Sequence, residues 1–315
     1  MKVLVTGSAG HLARAVLPRL CADPRISRVT GVDLHPGEFR HPRFREYRCD
    51  IRGPDLAARM ADHQAVIHMA FVVMRGDLGR RRRDRALMRD INVAGSRHVF
   101  QCAAAAGVER AVHLSSAAAY GAWPDNPPRL EETAVLRPNP GFAYAEDKAE
   151  VERWLDAFGD ARRTPALVRL RPHAIVGPHA HPLLRALLRQ PFYPRLPDPQ
   201  PLTQCIWEDD VAEAVLSGLF SPSTGVFNLA AEPAVGFREL QRHIHRRALP
   251  VPFALVRAAV RGLWPLTGAA GEPGWVEGLR HSLALDCSRA RRLLGWQPRW
   301  SVYDCVQRMT GPGSP

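Results

Sequence analysis

The chain has no apolar run of the roughly 20 residues that a membrane-spanning helix needs, and its first residues carry no charged-then-apolar leader. Met1-Lys2 leads straight into a strand-like segment, so neither a membrane span nor secretion is expected. The six cysteines are scattered, with no C-x-x-C pair. That argues against a disulfide frame and for reduced thiols in a cytoplasmic protein. Aromatic residues are only 7%, yet 46% of the chain is apolar, a balance that excludes disorder and fits an ordinary globular protein. Metal-binding patterns are also missing. His243 and His245 are two apart on an expected helix and do not share a face. His179 and His181 fall on an expected loop without a nearby Cys or carboxylate, and no metal site is expected.

What is present in excess is positive charge. The formal net charge is +12 and the pI about 10.3, and the basic residues are nearly all arginine, spread along the chain. One dense run stands out, Arg80-Arg81-Arg82-Arg83, followed by Asp84 and Arg85. Charge alone speaks to solubility and association, not to fold. Its even spread favours an arginine-rich background over a nucleic-acid partner, which is not expected. Residues 80–85 read as a solvated face, with a phosphate contact as the alternative. With 315 residues, the chain has room for about two domains of roughly 150 residues.

The opening segment KVLVTGSAGHLARAVL is a buried-type strand from Lys2 to Thr6, then a turn through Gly7-Ser8-Ala9-Gly10, then a helical pattern from near His11. The glycines allow a tight turn and let backbone N–H groups approach a pyrophosphate, to which the helix start adds partial positive charge. Ala13 holds the third position of G-x-x-G-x-x-A, small enough for close helix–strand packing. A lone pattern of this kind is weak. Pro18 costs about 3 kcal/mol inside a helix, so a short or kinked helix is expected. The context strengthens the reading. RVTGVD is a second strand ending in Asp33, 23 residues after Gly10. A carboxylate at about that distance holds a ribose 2′-hydroxyl and repels a 2′-phosphate, which favours NAD over NADP. FREYRCDI is a third strand ending in Asp50-Ile51, beside the adenine. AVIHMAF (65–71) is a fourth, ending in Met69-Ala70-Phe71 over the cofactor. INVAGSRHVFQCAAAAG is a helix closed by Gly107, and RAVHLSS is the fifth strand. Strands alternating with helices in this rhythm predict an α/β fold with a doubly wound parallel sheet of Rossmann type.

The reactive residues follow the fifth strand. HLSSAAAYG (113–121) puts Ser115 and Ser116 at a strand end, and YAEDK (144–148) puts Tyr144 and Lys148 on one face of a helix running to about Phe158. A phenol of pKa near 10 is a poor base at neutral pH. A neighbouring ammonium stabilises the phenolate, so that Tyr144 can exchange a proton with a substrate oxygen. A serine hydroxyl opposite can hydrogen-bond the same oxygen.

With these motifs in order, the chain resembles the extended short-chain dehydrogenases/reductases, in particular the NAD-dependent epimerase/dehydratase family and its UDP-glucose 4-epimerase-like members. The resemblance rests on TGSAGHLA, Asp33, Asp50-Ile51, IHMA, INVAGS, LSSAAAYG, YAEDK, LRPHAIVGP, CIWEDDVAEAV, GVFNLAAEP and LLGWQPRWS, and covers nearly the whole chain. It implies that Ser116, four before Tyr120, is the catalytic serine, acting with Tyr144, Lys148 and Asn92 of the N-V-x-G pattern. It implies NAD contacts at Gly7, Ala9, Gly10, His11, Leu12, Asp33, Asp50, Ile51, Met69, Ala70, Phe71, Asn92, Leu114, Ser115, Tyr144 and Lys148. Pro172 and His173 would line the nicotinamide side. A homodimer through the helices holding Asn92 and Tyr144 is also implied.

The expected organisation is an NAD-binding domain over 1–172, to which 203–232 returns, and a smaller, mostly helical substrate domain from 173–202 and 233–315. HPLLRALLRQPFYPRLPDPQP (181–201) reads as an amphipathic helix and a proline-rich loop. Glu208-Asp209-Asp210 opens a helix, where acidic residues suit the helix dipole, and is assigned no catalytic role. LPVPFALVRAAVRGLWPLTG (249–268) reads first as a buried helix, then as an apolar wall over the active site, then as a surface helix touching a membrane. Ala174 stands where sugar-nucleotide epimerases of this type carry an asparagine that contacts the substrate, so one polar anchor is gone. The expected activity is hydride transfer at a secondary alcohol or ketone carbon, of a nucleotide-sugar or of a bulky apolar substrate. A non-catalytic NAD(P)-sensing protein is the alternative.

Overall fold

The computed structural model describes residues 1–73, 84–159, 165–188, 190–196, 198–244, 249–267 and 272–310. Arg80–Arg83 and His245 lie outside the described residues. The chain runs β1 (Lys2–Thr6), α1 (Ala13–Ala22), β2 (Arg28–Asp33), β3 (Phe44–Arg48), α2 (Asp55–Met60) and β4 (Ala65–His68). Next, α3 (Arg85–Arg89) passes through a π-helical turn at Asp90–Ala94 into α4 (Gly95–Ala105), followed by β5 (Arg110–Leu114), α5 (Ala143–Gly159) and β6 (Ala166–Pro172).

These strands form a seven-stranded sheet with β11 (Gly225–Leu229), in the order β11-β6-β5-β4-β1-β2-β3. Every pairing is parallel. Parallel strands are covered on both faces and so read as near-continuous apolar runs. On β1, Val3 and Val5 face one core with Val16 and Leu20 of α1, while Leu4 faces another with Leu56, Phe100 and Val151. The chain walks outward from β1 to β3, then jumps back to β4 and goes the other way. That reversal opens a crevice at the strands' carboxyl ends, where α/β sheets bind ligands.

Local chemistry sets the boundaries. α1 contains Pro18 and is only ten residues long. β3 stops at Arg48 and not at Asp50-Ile51, because the Asp50 carboxylate accepts the Arg52 N–H (2.9 Å) and turns the chain. α4 ends before Gly107, whose φ of +70° favours glycine.

Beyond β6 come β7 (Ala174–Val176), α6 (Pro182–Leu188), β8 (Phe192–Arg195), β9 (Leu202–Thr203), β10 (Cys205–Trp207) and α7 (Glu208–Phe220). After β11 come β12 (Val235–Gly236), α8 (Phe237–His243), β13 (Leu249–Pro252), α9 (Phe253–Thr267), α10 (Pro273–Gly278), α11 (Ser288–Leu294) and α12 (Val302–Thr310). Three two-stranded sheets, β10–β7, β12–β9 and β13–β8, accompany the helices here. A separate core of Val176, Trp207, Leu240, Val302 and Val306 holds part of this region together. Ala290 and Leu294 of α11, with Trp296, instead join the main core alongside α7 and β11, although they fall in the stretch expected to serve the substrate. Among the described residues, no helix is long and apolar enough to cross a membrane.

The 249–268 segment differs from the buried helix expected of it. It begins as a strand, β13, and α9 has no buried side chain among those described. Leu255 is 61% exposed and Leu263 49%. The reason is position: α9 packs on α10, β13 and β8 at the edge of the molecule, with solvent on its far side.

Candidate active site

A cavity of about 1040 Å³ follows the carboxyl ends of β1, β2, β4, β5 and β6 and continues between the later elements. That lies at the top of the range of about 300–1,000 Å³ for one small-molecule site. Its cofactor end is shaped by the glycine turn. Gly7 has φ +74°, and a Cβ there would lie 2.6 Å from the Ala70 nitrogen, so only glycine lets the ends of β1 and β4 approach this closely. The Ala9 N–H donates to Asp33 Oδ2 (3.1 Å) and the His35 N–H to Oδ1 (3.1 Å), which fixes the carboxylate at the cavity wall. Glu46 braces the turn by accepting from the Ser8 hydroxyl (2.9 Å) and the Gly37 N–H (2.8 Å). No side chain caps α1, so its positive end is open to an anion.

The same wall carries Gly10, His11, Leu12, Asp50, Ile51, Met69 and Phe71, and further along Leu114, Ser115, Pro172 and His173. Ser116, Tyr144 and Lys148 line it too. The structure therefore brings to one cavity every residue expected there except Asn92. Asn92 is buried behind the wall. Its Oδ1 accepts the Val72 N–H (2.7 Å), and its Nδ2 donates to the Val72 carbonyl (3.1 Å) and to Asp147 Oδ2 (3.0 Å). It positions the chain after Phe71 and touches no cavity space.

At the reaction end, Ser116 is extended and its hydroxyl accepts the Ala118 N–H (3.1 Å), starting a short 3₁₀ turn, Ala117–Tyr120. Tyr144 and Lys148 lie one turn apart at the start of α5. Burial raises the Tyr144 pKa above that of an ordinary phenol, against the hydrogen bond with Ser116, which lowers it. The expected lowering by Lys148 is not what this arrangement does. The Lys148 ammonium donates to the Leu114 carbonyl (2.5 Å) and sits 3.5 Å over the Phe71 ring, 5.8 Å from the centre of the Tyr144 ring. Burial pushes the pKa of Lys148 down to about 7, opposed by Glu152 and Asp147.

That ammonium tests whether a dinucleotide fits. It has three donors and one acceptor, the Leu114 carbonyl, among the described residues. A buried cation so short of acceptors is costly. Ribose hydroxyls beside it would supply them and favour its charged form. With the open helix start and the carboxylate of Asp33, the residues present fit NAD.

Behind the site lies a buried ionic lattice. Arg171 donates to both Glu152 oxygens (2.7 and 2.8 Å) and to the Tyr120 hydroxyl (2.6 Å), which donates to Asn228 Oδ1 (2.8 Å). Ser115 gives its hydroxyl to Glu152 (2.6 Å), not to the cavity. Arg85 pairs with Asp147 (2.5 and 3.0 Å), and Asp84 caps α3, so these two members of the 80–85 run are built into the fold. His173 Nδ1 accepts the Ala174 N–H (2.8 Å) and its Nε2 faces the Leu283 carbonyl (3.1 Å), so the proton sits on Nε2. Burial holds its pKa down at about 4, so the ring is neutral at pH 7.

Two further features shape the wall. His179 does have a carboxylate partner: its Nδ1 is 2.7 Å from Glu208 Oε1 and its N–H donates to Oε2 (3.0 Å). Glu208 is thus a buried cavity residue and not only a helix-start charge. It fits because Gly177 leaves space; a Cβ there would lie 2.4 Å from Glu208 Cδ. The two residues are 29 positions apart, and only the pairing of β7 with β10 brings them together. Second, Val256 and Val260 of α9, one turn apart, line the cavity.

The sequence model of the NAD dependent epimerase/dehydratase family matches residues 3–230. The chain belongs to this family. Membership makes it an NAD-dependent enzyme of the extended short-chain type. UDP-glucose 4-epimerase of Mycolicibacterium smegmatis is 27% identical over 331 residues, covering 98% of this chain and 97% of that one. Sterol demethylase protein B of Methylococcus capsulatus is 33% identical over 186 residues, 56% of this chain and 52% of that one. Among solved structures, a variant of UDP-glucuronic acid 4-epimerase from Bacillus cereus, in complex with UDP-4-deoxy-4-fluoro-glucuronic acid and NAD, superposes with a TM-score of 0.75. It is 18% identical, and the match covers 98% of this chain and 97% of that one. At that identity the likeness speaks to the fold.

Proposed function

We propose that this family member transfers hydride at a secondary alcohol or ketone carbon, with Tyr144 as the acid/base. One observation carries the reading: Ser116, Tyr144 and Lys148 converge on the cavity that also holds the glycine turn and Asp33. When bound, NAD supplies the hydride acceptor or donor. Ser116 hydrogen-bonds the reacting oxygen, and Tyr144 takes or gives the proton at that oxygen. Lys148 holds the ribose hydroxyls and, charged by them, eases loss of the Tyr144 proton. Asp33 favours a free 2′-hydroxyl over a 2′-phosphate.

Two net reactions use this machinery. An epimerase returns the hydride to the same carbon and keeps its cofactor, whereas a dehydrogenase releases NADH. Denaturing the purified protein and identifying released nucleotide by mass spectrometry separates them. Failure to bind NAD or NADP would sink the reading, and so would a Tyr144→Phe variant with unchanged turnover. We extend the proposal to a homodimer through α4 and α5, checked by light scattering in solution.

A further inference from the structure

We propose that the substrate half of the cavity takes a neutral, bulky, mainly hydrocarbon secondary alcohol or its ketone, and not a nucleotide-sugar. The proposal rests on the hydride-transfer reading above. Beyond the reaction end, most of the wall is apolar side chains from separate helices, Leu184 of α6, Leu240 of α8, Val256 and Val260 of α9, and Trp275 and Val276 of α10, with the polar Tyr193, Gln241 and His281 among them. Gln204 also lines this space, but both ends of its amide are occupied: Nε2 donates to the Ala231 carbonyl (2.9 Å) and Oε1 accepts the Leu285 N–H (2.7 Å).

Charge points the same way. A buried diphosphate calls for arginine or lysine, best in bidentate geometry. Among the described residues, Lys148 is the only lysine or arginine on the cavity wall, and it belongs to the reaction end. Among the described residues, four arginines on or just after the helices of the apolar half face elsewhere. Arg257, Arg261 and Arg280 all turn to Glu277 (3.9, 3.1 and 3.7 Å), and Arg238 turns to Asp198 (3.1 Å). The acidic residue that does reach this part of the wall is Glu208, whose carboxylate repels a phosphate. Held against Glu208 by Nδ1, His179 has its Nε2 without a partner among the described residues, a hydrogen-bonding point suited to a hydroxyl or carbonyl.

The reaction balances as R₂CHOH + NAD⁺ → R₂C=O + NADH + H⁺. The carbinol C–H bond breaks with its electron pair going to the nicotinamide, and the hydroxyl proton passes through Tyr144 to solvent.

The test uses the full chain with three probes: decahydro-2-naphthol, epiandrosterone and UDP-glucose. Dissociation constants are measured without cofactor, then NADH formation with NAD⁺. Val260→Glu puts a carboxylate on the inner face of α9, and Leu255→Glu puts the same charge on its outer face. The expected result is that the two alcohols bind wild type and that Val260→Glu weakens them at least about tenfold. Leu255→Glu should stay within about twofold, and NAD affinity should hold in both variants. Tighter binding of UDP-glucose than of the alcohols overturns the proposal. So does failure of both alcohols to bind, or equal binding by Val260→Glu in a variant whose melting temperature shows it folded. Failure of NAD to bind overturns the hydride-transfer reading instead, and the alcohol measurements, which need no cofactor, still decide the substrate class.

Discussion

The two ends of the cavity are built on opposite principles. At the cofactor end, backbone does most of the holding. Gly7 lets two strand ends touch, Asp33 is fixed by two backbone N–H groups, and Lys148 is directed by a carbonyl. At the substrate end, side chains from α6, α8, α9 and α10 line the wall. Backbone-held sites tolerate few changes, because each donor or acceptor is placed by the sheet itself. A wall of apolar side chains can be re-cut by substitution while the fold survives. One molecule thus joins a fixed reaction centre to an adaptable substrate chamber.

The comparison is sharpest if the chemistry can be removed without touching binding. Tyr144→Phe should lower turnover by about 10²–10⁴-fold, with NAD affinity unchanged by titration. A variant that lost both together would mean the reaction end is not separable from cofactor holding. Next in size is Gly7→Ala. The added Cβ meets the Ala70 backbone at a positive φ, so the variant should lose roughly 2 kcal/mol or more of stability along with NAD binding, read by urea melts and titration. An alanine scan of the apolar wall should do less to NAD affinity than this one methyl group.

Lys148 gives a smaller effect with a definite sign. Its folded pKa, about 7, lies below the ordinary lysine value of 10.5. Between those values the unfolded chain binds more protons than the folded one, so the group's contribution to stability rises with pH. Its cost is fully present below pH 7 and fades toward pH 10.5. The slope should be about 1.4 kcal/mol per pH unit and should vanish in Lys148→Met, as measured by urea melts at several pH values. His173 acts in the acid range. Its folded pKa of about 4 lies below the ordinary 6.5, so its contribution falls as pH drops from 6.5 toward 4. A slope of similar size on that side should shrink in His173→Gln. Unchanged slopes in either variant would mean that these groups are not as sealed from water as the folded chain makes them.

The cofactor end was the more legible half in the sequence, and the contrast above explains why. Glycine turns, strand-end carboxylates and apolar runs are local in sequence, so Gly7, Asp33, Tyr144 and Lys148 could be singled out once their motifs were read together along the chain. What was missed depends on tertiary direction. Lys148 points to Leu114 and Phe71, which no spacing reveals. Asn92 sits behind the cavity wall, its amide held by Val72 and Asp147. The 249–268 segment is apolar on most sides, so its pattern could not say which face met solvent and which met the cavity. His179 and Glu208 needed the β7–β10 pairing to become neighbours.

The contact between Gly177 and Glu208 has a consequence for how the chain can change. The carboxylate fills the volume that a side chain at 177 would need. An acid at 208 in this rotamer is therefore conditional on glycine at 177, and the two positions are not free to vary in either order. A lineage that enlarged 177 first would have to seat the acid in another rotamer, away from His179. One that shrank 208 first would lift the steric part of the constraint at 177, which Gly177→Ala measured in wild type and in Glu208→Ala would register as strong non-additivity.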